Sequence, residues 1–204
     1  MTKYLDFEKL EAIDASEFLA TKPYPWVNPQ GLLTDEGFDR LLHNMPDLAL
    51  FEKKFGYERI AGQKPHDRYS LEYTSNAAVP APWQEFIAEL FSDRYRKNLA
   101  RLIDARNINL RFQWNYTPNG CSVSPHTDSV REHGSQLIYF NSEDEWSPAW
   151  GGDTLVLDDG GRLKFESAPS FEDFKNEIAA KSIGNYSLIF KRTPRSWHAV
   201  REIQ

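Results

Sequence analysis

The spacing of apolar residues changes about halfway along the chain. Up to residue 105 they recur mostly at helical intervals, and from Asn107 onward they fall into short runs broken by turns. Phe7 to Ala20 has roughly helical apolar spacing. Pro23-Tyr24-Pro25-Trp26 is expected to be extended, because proline disfavours helix in the residue before it. Thr34 suits the N-cap of a helix over Asp35 to Asn44, with Asp35 and Glu36 placed at the positive end of its dipole. Pro82 suits the first turn of a longer helix running to about Asp104.

The second half predicts strands at Ile108–Tyr116, Gln136–Asn141, Asp153–Leu157, Arg162–Phe165, Tyr186–Lys191 and Ser196–Ile203. Pro118-Asn119-Gly120, Gly151-Gly152 and Asp158-Asp159-Gly160-Gly161 supply the turns. One helix is expected to interrupt them, from Phe171 to about Lys181, capped by Ser170 and closed near Gly184. Strands this short and evenly punctuated suggest a sandwich or jelly roll. No repeat or low-complexity linker divides the chain. Residues 1–204 are therefore expected to form a single domain, with 1–105 a mainly helical lead-in and 106–204 the β core.

Composition narrows the function classes. The 204 residues are enough for a real core, and 40% hydrophobic with 14% aromatic content is globular rather than disordered. A formal charge of −6 gives no support for a nucleic-acid partner, which usually needs a basic face. The single cysteine, Cys121, excludes an internal disulfide and a multi-cysteine zinc site, and it suits a reducing compartment. Met1 to Phe7 lacks an apolar signal core, and no stretch approaches the roughly 20 apolar residues of a membrane span. These features point to a soluble cytoplasmic protein with no membrane partner.

The candidate chemistry starts at Ser124-Pro125-His126-Thr127-Asp128, where an imidazole and a carboxylate lie two residues apart at the end of a strand. A further histidine, His198, follows 72 positions later on the last predicted strand. Two histidines and one carboxylate can occupy one face of an octahedron and leave the opposite face open, which is the facial triad of non-haem Fe(II) oxygenases. His-x-Asp alone occurs often by chance. The strand placement of both segments, with a Gly-Gly turn between them, is what gives the pattern weight.

The stretches "RFQWNYTPNGCSVSPHTD", "SQLIYFN", "WGGDTLVLD" and "NYSLIFKRTPRSWHAV" resemble the prolyl-hydroxylase-like branch of the iron(II)/2-oxoglutarate oxygenases. Tyr116, Pro118 and Gly120 fit that pattern before the first ligand. Tyr139, Asn141, Trp150, Gly151 and Gly152 fit it between the ligands. The likeness covers about the C-terminal half. It implies an α+β fold with a double-stranded β-helix, a jelly-roll variant, supported by helices from the N-terminal half. It also implies Fe(II) held by His126, Asp128 and His198, with 2-oxoglutarate and O2 as co-substrates. Hydroxylation of a small-molecule, amino-acid or peptidyl substrate would then release succinate and CO2. Asp128 fills the position that family halogenases leave to chloride, which favours hydroxylation.

In this branch a basic residue nine to eleven positions after the last histidine anchors the far carboxylate of 2-oxoglutarate, and the given sequence stops at Gln204. Either a native tail supplies the anchor, or another arginine does; Arg111 and Arg201 are the leading candidates, with Arg131, Arg192 and Arg195 also available. The resemblance places Tyr116 and Tyr139 at the 2-oxoglutarate pocket. Trp114, Trp146 and Trp150 are candidates for a substrate floor or for plain core, and Arg131 and His133 for a loop over the site. His43 and His66 lie outside the motif and have no role assigned. Two other classes stay open: a zinc hydrolase, although His-Glu-x-x-His is absent, and an inactive jelly-roll binding module.

Overall fold

A computed structural model of the chain describes residues 3–57, 59, 62–142 and 144–204. The helical half is more finely divided than the spacing predicts. Phe7–Ala12 (α1) and Ala15–Ala20 (α2) replace one continuous helix, because the Asp14 carboxylate accepts from the backbone N–H groups of Ser16 and Glu17 and starts a new one. Asp35–Leu42 (α3) begins as expected, with Thr34 Oγ1 accepting from Gly37 N at 3.0 Å. The long helix expected after Pro82 is two, Ala81–Leu90 (α4) and Asp93–Leu102 (α5), since Ser92 caps the second through Tyr95 N.

The strands form three antiparallel sheets. Trp26–Val27 (β1), Ser187–Lys191 (β9) and Gly134–Ile138 (β6) make one, in the order β1-β9-β6. Val123–His126 (β5), His198–Val200 (β10), Thr154–Asp158 (β7) and Asn176–Ala180 (β8) make the second, in the order β5-β10-β7-β8. Glu52–Lys54 (β2), Arg68–Glu72 (β3) and Gln113–Tyr116 (β4) make the third. Three of these strands come from residues 26–72, so the boundary at residue 105 does not separate helices from sheets.

Three sequence expectations are corrected. The helix expected over Phe171–Lys181 is a single 3-10 turn, Phe171–Asp173, followed by β8, which pairs with β7 through five register positions from Thr154↔Ala180 to Asp158↔Asn176. The local capping box of Ser170 and Asp173 supports one turn, and the open edge of β7 then takes the chain. Arg162–Phe165 is not a strand: the buried Asp159 carboxylate accepts from Gly161 N and Leu163 N and winds the segment into a turn. Ile108–Tyr116 enters a ladder only from Gln113; Ile108, Leu110 and Phe112 pack on the helical core instead.

Alternation along the strands sets the layers. On β9, Leu188 and Phe190 face β7 and β8 and share a cluster with Tyr24, Val156 and Ala180, while Ile189 turns to the helices and joins the Trp83–Phe86–Leu90 core. On β7 and β10, Leu155, Leu157 and Ala199 face the other way, onto Trp197, Leu163, Phe171 and Phe174. The sheet β5-β10-β7-β8 is thus apolar on both faces at its centre, along β7 and β10, while β8 is exposed over four of its five residues. Its inward side, at His198, opens onto the space shared with β9.

Candidate metal centre

His126 closes β5 and His198 opens β10, and they are direct register partners. The pairing shifts between His198 and Val200, whose partner is Val123, so β5 carries an extra residue here. Such a bulge re-aims a side chain. Ser124, Pro125 and His126 are all buried as a result, where simple alternation would expose one. The two imidazole rings lie 4.2 Å apart between centroids, and Phe190 packs on the His198 ring at 4.8 Å.

Asp128 follows β5 and brings Oδ1 to 3.9 Å from His126 Nε2 and 3.5 Å from His198 Nε2. One ligand atom from each of the three residues lies within 4.8 Å of the others. Both histidines are oriented alike. Nδ1 of His126 meets Ser124 O at 2.9 Å and Nδ1 of His198 meets Ser196 O at 3.0 Å. A proton on each Nδ1 satisfies these carbonyls and leaves each Nε2 lone pair free. Burial, with His198, His66 and Arg59 nearby, holds the His126 imidazole well below its ordinary pKa, in the neutral form a metal needs. Ser135 Oγ, on β6, donates to Asp128 Oδ2 at 2.8 Å and leaves Oδ1 for the histidine side. The donor set of two imidazole nitrogens and one carboxylate oxygen, each held by an outer partner, fits a divalent transition-metal ion.

His66, which the sequence left without a role, lies tilted against His126, with ring centroids 4.3 Å apart. Its backbone bridges Val123, and Lys64 O accepts from Ser124 Oγ at 3.2 Å, so residues 64–66 are fastened to β5. Burial and the Arg59 and Arg68 charges push the His66 pKa down to about 3. Ser135, Arg59 and Arg68 were likewise missed. No local pattern marks them, because the chain approaches the site there only through sheet pairing. Arg192, one of the alternative anchors, reaches the site from β9: its Nε donates to Asp128 O at 3.3 Å while its guanidinium lies over Phe165.

The other expected residues are more dispersed. Tyr139 packs half-buried beside Phe190 and Val156, and its hydroxyl donates to Thr154 Oγ1 at 2.8 Å. Tyr116 lies on β4, 37% exposed, with its ring on Phe51 at 5.0 Å. Arg111 pairs with Glu132 at 2.9 Å and Arg201 with Glu177 at 2.6 Å, both as exposed ion pairs. Arg201 also covers Phe171, on the face opposite His198, as alternation along β10 requires. Trp114 belongs to the helical core against Trp83, while Trp146 and Trp150 pack on each other near the Gly151-Gly152 turn. Among the described residues, no helix is long and apolar enough to cross a membrane.

No protein-family model matches the sequence, and no curated protein matches it. Solved structures do match the fold. A prolyl-4-hydroxylase from Pseudomonas putida superposes with a TM-score of 0.61 at 16% identity, over 93% of this chain and 91% of that one. A prolyl hydroxylase from Trichoplax adhaerens, solved with a peptide fragment of the hypoxia inducible factor oxygen degradation domain, gives 0.63 at 14% identity, over 97% and 84%. A prolyl 4-hydroxylase from Phytophthora capsici gives 0.59 at 15% identity, over 100% of this chain and 62% of that one. The chain therefore shares the fold of the prolyl-hydroxylase-like branch of the iron(II)/2-oxoglutarate oxygenases, the family its sequence resembles.

Proposed function

We propose that this chain is an Fe(II)- and 2-oxoglutarate-dependent hydroxylase that acts on an unactivated C–H of a small-molecule, amino-acid or peptidyl substrate. The observation that carries the reading is the convergence of His126 Nε2, Asp128 Oδ1 and His198 Nε2 on one point of a prolyl-hydroxylase fold. The peptide bound to the Trichoplax relative supports a peptidyl substrate as one option. The two facing sheets, with the triad at the end of β5 and the start of β10, are read as a double-stranded β-helix.

Iron, when bound, would supply the activation of O2 that no amino-acid side chain provides. The residues' own tasks follow from their contacts. Ser124 O and Ser196 O fix the tautomers, so both histidines present bare Nε2 atoms. Ser135 holds the Asp128 carboxylate against rotation. Phe190 keeps water from one side of His198. Tyr139 and Thr154 share one hydrogen bond between two hydroxyls, which leaves the Thr154 O–H available to donate to an oxygen of the co-substrate. The same reading keeps Tyr116 as a co-substrate contact from β4.

The reading is tested by succinate release. The purified chain with Fe(II), 2-oxoglutarate and O2 should form succinate, and Asp128→Ala should reduce the rate at least about 100-fold, beyond the usual 10–100-fold effect of losing an outer partner. Unchanged turnover in that variant, or hydrolysis supported by Zn(II) alone, would replace this reading with another.

A further inference from the structure

Asp128 is fastened twice to the sheet that does not carry the two histidines. Ser135 Oγ, on β6, holds its carboxylate, and Arg192, just past the end of β9, donates from Nε to its backbone oxygen at 3.3 Å. The backbone N–H of Arg192 donates to His133 O at 2.9 Å. One residue therefore closes both ends of the Asp128–His133 loop. Inside the loop, Glu132 N donates to Ser129 O at 3.0 Å and Arg131 N to Ser129 Oγ at 3.3 Å. The Arg192 guanidinium lies 4.8 Å from the centroid of the Phe165 ring, and its Nη2 is buried with no hydrogen-bond partner among the described residues. The aromatic face supports this desolvated cation and sets its plane, so that the Nε edge is turned to Asp128.

We propose that Arg192 is a positioning residue of the candidate centre, which fixes the backbone of Asp128 so that Oδ1 meets the Nε2 atoms of His126 and His198, with Phe165 as its support. The need for such a residue follows from the topology. Asp128 lies beyond the end of β5, outside the ladder that aligns His126 with His198. Its Oδ1 is nevertheless 3.9 and 3.5 Å from the two imidazole nitrogens. Ser135 restrains rotation of the carboxylate, and Arg192 restrains the main chain that carries it, so the two contacts are complementary. Lysine cannot take this place. Its ammonium is a compact point charge on a flexible stem, without a plane to lie on Phe165 or a side-directed donor for Asp128 O. The proposal rests on the metal-centre reading for its purpose, but the restraint on the loop stands apart from any metal.

The experiment compares the wild-type chain with Arg192→Lys, Arg192→Gln, Phe165→Leu and Phe165→Tyr. Two quantities are read: Co(II) affinity, by absorbance titration, and hydrogen exchange of the Arg131 and Glu132 amides in metal-free protein. Circular dichroism and urea midpoints confirm folding; if Arg192→Gln does not fold, Arg192→Lys and Phe165→Leu carry the same test. Both Arg192 variants should bind Co(II) about tenfold or more weakly, the effect of losing an outer partner, and their visible Co(II) bands should shift as the coordination loosens. Phe165→Leu should show part of this loss, and Phe165→Tyr, which keeps the aromatic face, should bind as the wild type does. Exchange at Arg131 and Glu132 should quicken in the Arg192 variants even without metal. If the wild-type chain binds no Co(II) or Fe(II) but exchange quickens as stated, the metal-centre reading fails and the restraint by Arg192 stands. If the wild type binds metal and both Arg192 variants bind it within about twofold, or if exchange is unchanged in them, the proposal is overturned.

Discussion

His126 and His198 face each other as register partners across the β5–β10 ladder, and that pairing puts both rings on the same side of the sheet. The pair shares a carboxylate, Asp128, whose second oxygen is held by Ser135 from a strand in a different sheet. The candidate centre therefore joins two sheets, and loosening either one should be felt as lost metal affinity.

Ser135→Ala should lower affinity for Fe(II), or for Co(II) as a spectroscopic substitute, by about 10-fold or more while leaving the fold intact. The hydroxyl contributes nothing to the apolar core, so thermal stability of the metal-free protein should fall by only about 1 kcal/mol. A metal titration followed by absorbance distinguishes this from a purely structural effect, which would lower stability and spare affinity.

Tyr139 and Thr154 should behave as a coupled pair. Tyr139→Phe and Thr154→Val should each destabilise the chain by about 1 kcal/mol, because each leaves a partly buried hydroxyl without its partner. The double variant should recover part of the loss, giving a coupling of about 1 kcal/mol in a urea-denaturation cycle. Additive losses would mean that the hydroxyls bond elsewhere in solution.

Arg111→Ala and Arg201→Ala should leave 2-oxoglutarate affinity within about twofold and stability within about 1 kcal/mol, the range of exposed ion pairs. Calorimetric titration of each variant checks this. A tenfold loss in either would return that arginine to the co-substrate site.

Tyr4 gives a pH dependence at the alkaline end. Burial, then the hydrogen bond to Glu85 and the charge of that carboxylate, raise its phenol to about 12 from an ordinary 10. The raised folded-state value means that its contribution is fully present below about pH 10 and is lost as the pH climbs through about 12. Urea midpoints measured across that window should fall, and Tyr4→Phe should flatten the fall.

Much of the candidate site was legible in the sequence, and for a local reason. His126 and Asp128 are neighbours in the chain, and the Ser-Trp-His-Ala-Val segment carries its own strand signal, so short-range pattern was enough to nominate all three residues. Thr34 was likewise readable as a cap, since capping is settled within three residues. The failures have the opposite character. Phe171–Lys181 looked helical from its own residues, and the free edge of β7 made most of it a strand. The missed breaks at Asp14 and Ser92 were written locally, in side chains that cap a new helix inside an otherwise continuous periodic run.

The sequence by itself determined the residue types of the candidate triad, the presence of a β-rich second half and the opposite facing of His198 and Arg201, because these depend on residue identity and on the two-residue period of a strand. Only the tertiary structure decided which groups surround the candidate triad. His66 and Ser135 reach the centre across sheets, and Arg59 and Arg68 approach it through His66, while Arg111 and Arg201 are drawn off to Glu132 and Glu177. Such contacts join residues tens of positions apart. They depend on strand pairing and on the bulge in β5, and no short-range pattern of apolar and polar residues encodes that choice.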